Sequence, residues 1–156
     1  MARKHTIGRP SSVRGLYFPP FHSSIARTRV VGATVHPGHR VIPDYNSTFQ
    51  GRRDIPVRES TVVVQYGGRV YSFRLAYRYH HIFLRNQALA EVCPETVWRG
   101  EMLVMQEGSF KSVVNIQRHD PARYAVRHFL LRMKDRLDQA DTTGTIPQFI
   151  AEVDEA

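Results

Sequence analysis

The chain has 156 residues, of which 42% are hydrophobic, and its 22 Lys and Arg against 14 Asp and Glu give a formal net charge of +8. This length suits one sizeable core, and no run approaches the roughly 20 apolar residues that span a bilayer, so we expect no membrane-spanning segment. The single cysteine, Cys93, excludes intrachain disulfides and cysteine-rich zinc or iron-sulfur sites.

The start of the chain bears on the cellular compartment. It is basic, but no continuous apolar stretch follows the basic residues, which argues against a secretory signal. We therefore expect an intracellular protein, nuclear or cytoplasmic. A mitochondrial location stays open because transit peptides are also Arg-rich and poor in acids, although the prolines here oppose the amphipathic helix that they need.

Charge divides the sequence into three parts. Residues 1–58 hold ten Lys and Arg against two acids, residues 59–137 hold twelve against seven, and residues 138–156 hold five acids and no Lys or Arg. We predict an extended or disordered basic arm, a compact α+β domain and an acidic C-terminal tail over these three ranges. Such clustering favours contact with nucleic acid or an acidic protein surface, and the alternative is that the charge only maintains solubility.

The arm contains six prolines, so no long helix can persist in it. Arg14, Arg27 and Arg29 precede its first acid, Asp44, and we assign them a phosphate-neutralising role. Short apolar groups, such as residues 16–18, can dock on the domain or on another subunit. An unstructured leader without a partner is the other interpretation.

Residues 60–77 are the clearest structural signal in the chain. Two β-rich runs flank Gly67 and Gly68, and a two-residue turn at these glycines pairs Val62 with Phe73 and Val64 with Tyr71. This register collects the large apolar side chains on one buried face. It leaves Arg74 on the opposite face, which can meet solvent, a second layer or a partner.

The residues after this hairpin carry two further signals. Apolar spacing predicts a helix from about His80 to Val92, ended by Pro94. Before it, two tyrosines alternate with Arg74 and Arg78, a pattern found where nucleic-acid bases stack on a sheet. The alternative is that these tyrosines, Tyr77 and Tyr79, close the core at the end of the hairpin.

A second hairpin and a basic helix follow. Residues 102–105 and 110–116 read as two strands joined by a turn at residues 107–109. Asp120 and Pro121 are typical of a helix start, and the helix they open is the most basic element of the body. Three of its arginines complete the predicted nucleic-acid contacts: Arg118, Arg123 and Arg127.

Residues that carry catalysis or hold cofactors are not evident in the sequence. It has no phosphate-binding glycine loop and no nucleophile elbow. His36 and His39 have a spacing that can share a metal, but no third ligand lies nearby, so we expect a turn and no metal site. We therefore expect no cofactor and no enzymatic activity.

These elements predict a two-layer α+β sandwich of ββαββα order, with both helices on one face of an antiparallel or mixed sheet. In its order of elements the segment 60–116 resembles the β-grasp arrangement of ubiquitin-like domains. We expect a non-catalytic binding protein that contacts nucleic acid or another polyanion through its arm and last helix. The alternative is a protein-interaction or assembly module, including a homo-oligomer, that pairs through the hairpin edge or the arm. We expect the acidic tail to compete for the basic arm or helix when no partner is bound, and the alternative is a docked edge segment with a solvated end.

Overall fold

The protein is described by a computed structural model over residues 10–20, 25–36, 40–49 and 51–143. The part of the predicted basic arm before residue 10 and the part of the predicted acidic tail beyond residue 143 lie outside the described residues, as does His39. The strands are β1 (Pro10–Phe18), β2 (Arg27–His36), β3 (Arg40–Pro43), β4 (Arg58–Tyr66), β5 (Arg69–Tyr77), β6 (Met102–Glu107) and β7 (Val113–Val114). The helices are α1 (Gln87–Val92), α2 (His119–Arg132) and α3 (Lys134–Thr143).

The strands form one antiparallel sheet in the order β3-β2-β1-β6-β5-β4. β1 pairs with residues 102–104 of β6, and β7 pairs with residues 106 and 107 of the same strand. The sheet is curled, which brings β3 close to β7. The backbone nitrogen of Val41 in β3 donates to the Oγ of Ser112, the residue before β7, at 3.0 Å. The sheet over the described residues is thus antiparallel and not mixed.

The β4-β5 hairpin confirms the register that the sequence predicts. Val62 lies opposite Phe73, Val64 lies opposite Tyr71, and both turn glycines have positive φ angles. Phe73 is fully buried beneath the helices. The two glycines permit the left-handed turn because they lack a Cβ.

Two hydrophobic clusters lie on opposite faces of the sheet. The larger one joins the helix-facing side of β1, β4, β5 and β6 to α1, α2 and α3, with Trp98 and Phe129 at its centre. The smaller one fills the inside of the curl and includes Val31, Phe49 and Met105. The sheet therefore has an inner layer of its own opposite the helices, which the predicted two-layer sandwich lacks.

The extended or disordered arm predicted over residues 1–58 is, where it is described, three strands of this same sheet. Leu16 and Phe18 are fully buried in the larger cluster, and Val31 is fully buried in the smaller one. The elements from Arg58 onward run β4, β5, α1, β6, β7, α2, but three strands precede them and α3 follows. The chain as a whole therefore does not have the predicted ββαββα order.

Three predicted elements differ in extent. The helix expected from His80 is confined to α1, because residues 78–86 form an irregular segment bridged to Arg99 through Arg85. The second hairpin exists, but its second strand is only β7 and Phe110 lies in the preceding turn. The basic helix breaks at Met133, and α3 continues beyond it.

No helix in the described part of the chain combines the length and the apolar character that crossing a membrane requires.

Candidate nucleic-acid interface

The helices pack on one face of the sheet but do not cover all of it. On the uncovered part of this face, β1, β2 and β3 carry exposed arginines. Leu16 and Phe18 face the helices, so the alternation of a strand places Ser12 and Arg14 on the same side. Opposite Arg14 in the ladder is Val30, which is 61% exposed. We call this surface the outer basic face; its exposed members are Ser12, Arg14, Thr28, Val30, Thr34, His36 and Arg40.

The segment before α2 borders the outer basic face. The backbone nitrogen of Arg14 donates to Asn115 Oδ1 at 2.8 Å, and that of Ile116 donates to the Arg14 carbonyl at 2.9 Å. At the first residue of α2, His119 Nε2 lies 3.1 Å from Thr28 Oγ1 on β2. Arg118, which is exposed and stands just before the helix, is therefore brought to the same surface as Arg14.

The charge of this surface is positive because β1, β2 and β3 contain no Asp or Glu. Along the chain, the acid nearest to Arg40 is Asp44 and the acid nearest to Arg118 is Asp120. Asp44 follows β3 and caps the next turn by accepting a hydrogen bond from the Asn46 nitrogen, 3.0 Å away. Asp120 lies in the first turn of α2, where its negative charge interacts favourably with the positive end of the helix dipole.

Arg27 and Arg29 lie on the other side of the sheet from Arg14. Arg29 and Val31 alternate along β2 on the inner side, and the Arg29 guanidinium lies 4.8 Å from the centre of the Tyr17 ring. Tyr17 is buried and donates a hydrogen bond of 2.7 Å to Glu101. Burial, followed by this hydrogen bond to a carboxylate, raises the pKa of Tyr17 far above its ordinary value.

Arg74 and Arg78 are buried and paired with acids. Arg74 Nη2 lies 2.8 Å from Glu107 Oε2 and also donates to the Lys111 carbonyl at 2.7 Å. Arg78 donates to Glu101 and to the carbonyl of Gly51, the latter at 2.8 Å. Arg74 lies on the face opposite Phe73, as the register predicts, and at this position that face meets a second layer, the β6-β7 turn, and not solvent.

The tyrosines next to these arginines are buried too. Tyr77 is fully buried and Tyr79 is 4% exposed, and both pack edge-on against Trp98. Their rings close the core at the end of the hairpin, which was the alternative to base stacking. Neither ring is accessible to a nucleic-acid base.

Arg123 and Arg127 lie farther along α2 and line a groove of about 410 Å³ between α1 and α2. Arg127 is half exposed and donates to both oxygens of Glu95, at 2.8 and 2.5 Å. The hydrogen bond from this guanidinium lowers the pKa of Glu95 to about 2. Arg123 is half buried at the same groove. The groove carries two arginines, but Glu91 also lines it and Glu95 neutralises Arg127.

Sequence reasoning missed Arg40, His36 and the exposed Phe110. Arg40 and His36 are directly opposite each other in the β2-β3 ladder. The signal was present in β2, whose nine residues after Arg27 are rich in Val and Thr and so favour a strand. The prediction of an extended or disordered arm rested instead on the prolines elsewhere in it. Phe110 carried no such signal, because the alternation around it predicted a strand.

No three His, Cys, Asp or Glu side chains of the described part of the chain gather in a way that can hold a metal ion. Cys93 is fully buried. No family model, no curated protein and no solved structure matches the chain.

Proposed function

We propose that this protein is a non-catalytic binding protein that holds nucleic acid by its phosphates on the outer basic face. Arg14, Arg40 and Arg118 are the phosphate-contacting residues. The observation that carries the proposal is an exposed sheet surface with no acid in its three strands, joined to the start of a basic helix.

Arginine suits this role because its planar guanidinium donates two parallel hydrogen bonds to phosphate. Among the exposed residues of the outer basic face only His36 carries an aromatic ring, so most contacts there are to the backbone of the nucleic acid and carry little sequence information. Arg74 and Arg78 are excluded from the role because their donors are already engaged with acids and carbonyls.

Fluorescence anisotropy with a labelled 15-nucleotide oligo(dT), titrated with salt, tests the proposal. Each phosphate contact on a single strand contributes about 0.7 to the slope of log affinity against log salt. Replacing Arg14, Arg40 and Arg118 together by Gln is expected to lower that slope by about two units. The affinity at about 0.1 M salt is then expected to fall roughly 100-fold.

A matched control distinguishes the effect of losing this surface from the effect of losing net charge. Arg53, Arg69 and Arg132 are exposed in other parts of the fold, and their replacement by Gln removes the same three charges. We expect this control to leave the slope nearly unchanged. Equal losses in both triple variants, or salt-independent binding by the native chain, overturn the proposal.

A second candidate function is assembly through the β4 edge. β4 is the last strand of the sheet order, and Val63 and Val70 at this end of the sheet are 61% and 70% exposed. An exposed edge strand with apolar side chains is a template for pairing with another chain. The partner that fits an antiparallel sheet edge is a second copy of β4.

Light scattering after size exclusion distinguishes the two functions. A dimer that persists at 0.5 M salt in the native chain and is lost in Val63→Lys supports assembly. Leu131→Lys, which adds the same charge at an exposed apolar residue of α2, is the control and is expected to leave the dimer intact. A monomer at all concentrations removes this candidate.

A further inference from the structure

Phe110 is the most exposed large hydrophobic residue in the described part of the chain. Its side chain is 88% exposed, compared with 70% for Val70, the next in order. An aromatic ring in this position is hydrated on both faces, which is unfavourable unless a partner covers it. The ring stands at the tip of the turn Ser109–Lys111 between β6 and β7.

The backbone that presents this ring is strained. Phe110 has φ 56° and ψ 33°, and Lys111 has φ 58°, so two consecutive residues with side chains adopt the left-handed conformation. This conformation is disfavoured for residues with a Cβ and persists only where surrounding contacts impose it. Strained residues of this kind are concentrated at binding sites.

Hydrogen bonds on both sides of Phe110 impose the strain. The Gly108 nitrogen donates to the Ser112 carbonyl at 2.7 Å, and the Ser112 nitrogen donates back to the Ser109 carbonyl at 3.0 Å. The buried Arg74 holds the Lys111 carbonyl at 2.7 Å. The ring is therefore presented by a fixed turn, and little conformational entropy is lost when it binds.

The turn stands at the edge of the outer basic face. Ser112 Oγ accepts from the Val41 nitrogen, so Lys111 and Arg40 are each one residue away from this contact. Three residues farther on, Asn115 contacts Arg14. The chain from Phe110 to Arg118 thus borders the β1-β3 surface, with the aromatic ring at one end and arginine at the other.

We propose that Phe110 stacks on a base and makes the outer basic face select single-stranded nucleic acid. This inference rests on the proposed function. An aromatic ring next to a row of cations is the arrangement that binds single strands, because the cations hold phosphates while the ring covers an unpaired base. In a duplex the bases are already stacked on one another and do not offer a face to the ring.

Substitutions at residue 110 test the stacking. Stacking contributes about 1–3 kcal/mol per base, so Phe110→Leu is expected to weaken binding of 15-nucleotide oligo(dT) about 5- to 150-fold. Phe110→Trp is expected to retain or strengthen binding, and its exposed indole is expected to lose fluorescence as oligo(dT) is added. Trp98 is 1% exposed, so its own emission should not respond.

Two controls isolate the base from the phosphate. Polyphosphate of similar length has no bases, so its affinity is expected to change less than about twofold in Phe110→Leu while still falling when Arg14 is replaced. Tyr124→Leu removes another exposed aromatic ring, which packs on Tyr66 far from the turn in sequence, and is expected to leave oligo(dT) binding unchanged. A 15-base-pair duplex is expected to bind native chain and Phe110→Leu equally.

The outcomes separate this inference from the proposed function. If Phe110→Leu binds oligo(dT) like the native chain while the arginine variants do not, stacking is overturned and the phosphate-binding face stands. If Phe110→Leu abolishes dimerisation by size exclusion and leaves oligo(dT) binding intact, the ring docks on a second copy and stacking is again overturned. If the native chain does not bind oligo(dT), both fail.

Discussion

The outer basic face and the β4-β5 hairpin are both antiparallel sheet that carries arginine, yet two arginines from each have opposite surroundings. Arg14 and Arg40 are exposed, whereas Arg74 and Arg78 are less than 10% exposed. The difference follows from the curl and from the position of acids. Glu101 and Glu107, at the two ends of the β6 region, face the hairpin arginines, and no acid occurs in β1, β2 or β3. Arginine on a sheet is thus a structural residue or a ligand contact depending on its neighbours.

The largest expected effect comes from breaking a buried pair. Arg78→Met is expected to lower the free energy of unfolding by about 3–5 kcal/mol, because Glu101 is left buried without its cation. Urea unfolding measures the change. Arg14→Met is the matched control, since Arg14 is exposed and we expect a change within about 0.5 kcal/mol. A loss below about 1 kcal/mol for Arg78→Met contradicts the contrast drawn between the two regions.

The second test gives the outer basic face the acid that it lacks. Val30→Glu places a carboxylate directly across the ladder from Arg14 and is expected to lower oligo(dT) affinity about tenfold at about 0.1 M salt. Val63 on β4 is 61% exposed, as Val30 is, so Val63→Glu makes the same charge change elsewhere. Anisotropy titrations that show equal losses for both variants refute a role specific to the outer face.

The third test separates strain from binding at Phe110. Phe110→Gly is expected to raise the free energy of unfolding by about 0.5–1 kcal/mol, because glycine has no Cβ penalty at positive φ. The same variant is expected to lose the stacking contribution to oligo(dT) binding. Phe110→Ala keeps the strained backbone, so its stability should not rise. Equal stability of the Gly and Ala variants means that the turn stores no strain.

The smallest effect concerns Arg127. This residue is intermediate between the exposed arginines and the buried ones, because it is half exposed and paired with an acid. Glu95→Gln is expected to release its guanidinium and to raise oligo(dT) affinity about twofold. Unchanged affinity in the same anisotropy assay means that Arg127 does not contact the nucleic acid.

The pH dependence of this pair has a defined sign. The pKa of Glu95 is about 2 in the folded protein and near 4.5 without partners, so the folded state favours the ionised carboxylate. The resulting stabilisation is fully present above pH 4.5 and is lost as pH falls towards 2. The difference in stability between the native chain and Glu95→Gln should therefore be constant from pH 5 to 7 and shrink in acid, as measured by urea unfolding across this range.

The sequence predicted best where local chemistry decides the structure. The register of the β4-β5 hairpin follows from Gly67 and Gly68 together with the alternation of large apolar residues, and the structure confirms it. The basic helix begins at His119, two residues before the predicted first helical residue, and Pro121 lies in its first turn as the sequence indicates. Both signals act over a few residues and require no knowledge of distant partners.

Long-range contacts decided what the sequence could not show. β1 is buried on both faces, so Leu16 and Tyr17 do not alternate with polar residues and its strand pattern is hidden. A helix from His80 puts Ile82 on the same face as the buried Leu89, seven residues later, yet Ile82 is 47% exposed. Whether Arg74 faces water or Glu107 depends on a strand some thirty residues later, which local pattern does not encode.

The central position of β1 has a consequence for biosynthesis. β1 is hydrogen-bonded to β2 on one side and to β6 on the other, and Tyr17 meets Glu101 across a separation of 84 residues. A nascent chain leaving the ribosome can close the β1-β2 ladder early, but the opposite edge of β1 stays open until β6 has been synthesised. Folding is therefore expected to be slow for a chain of this size. Until β6 pairs with it, the unpaired edge of β1 is the place where a chaperone would bind.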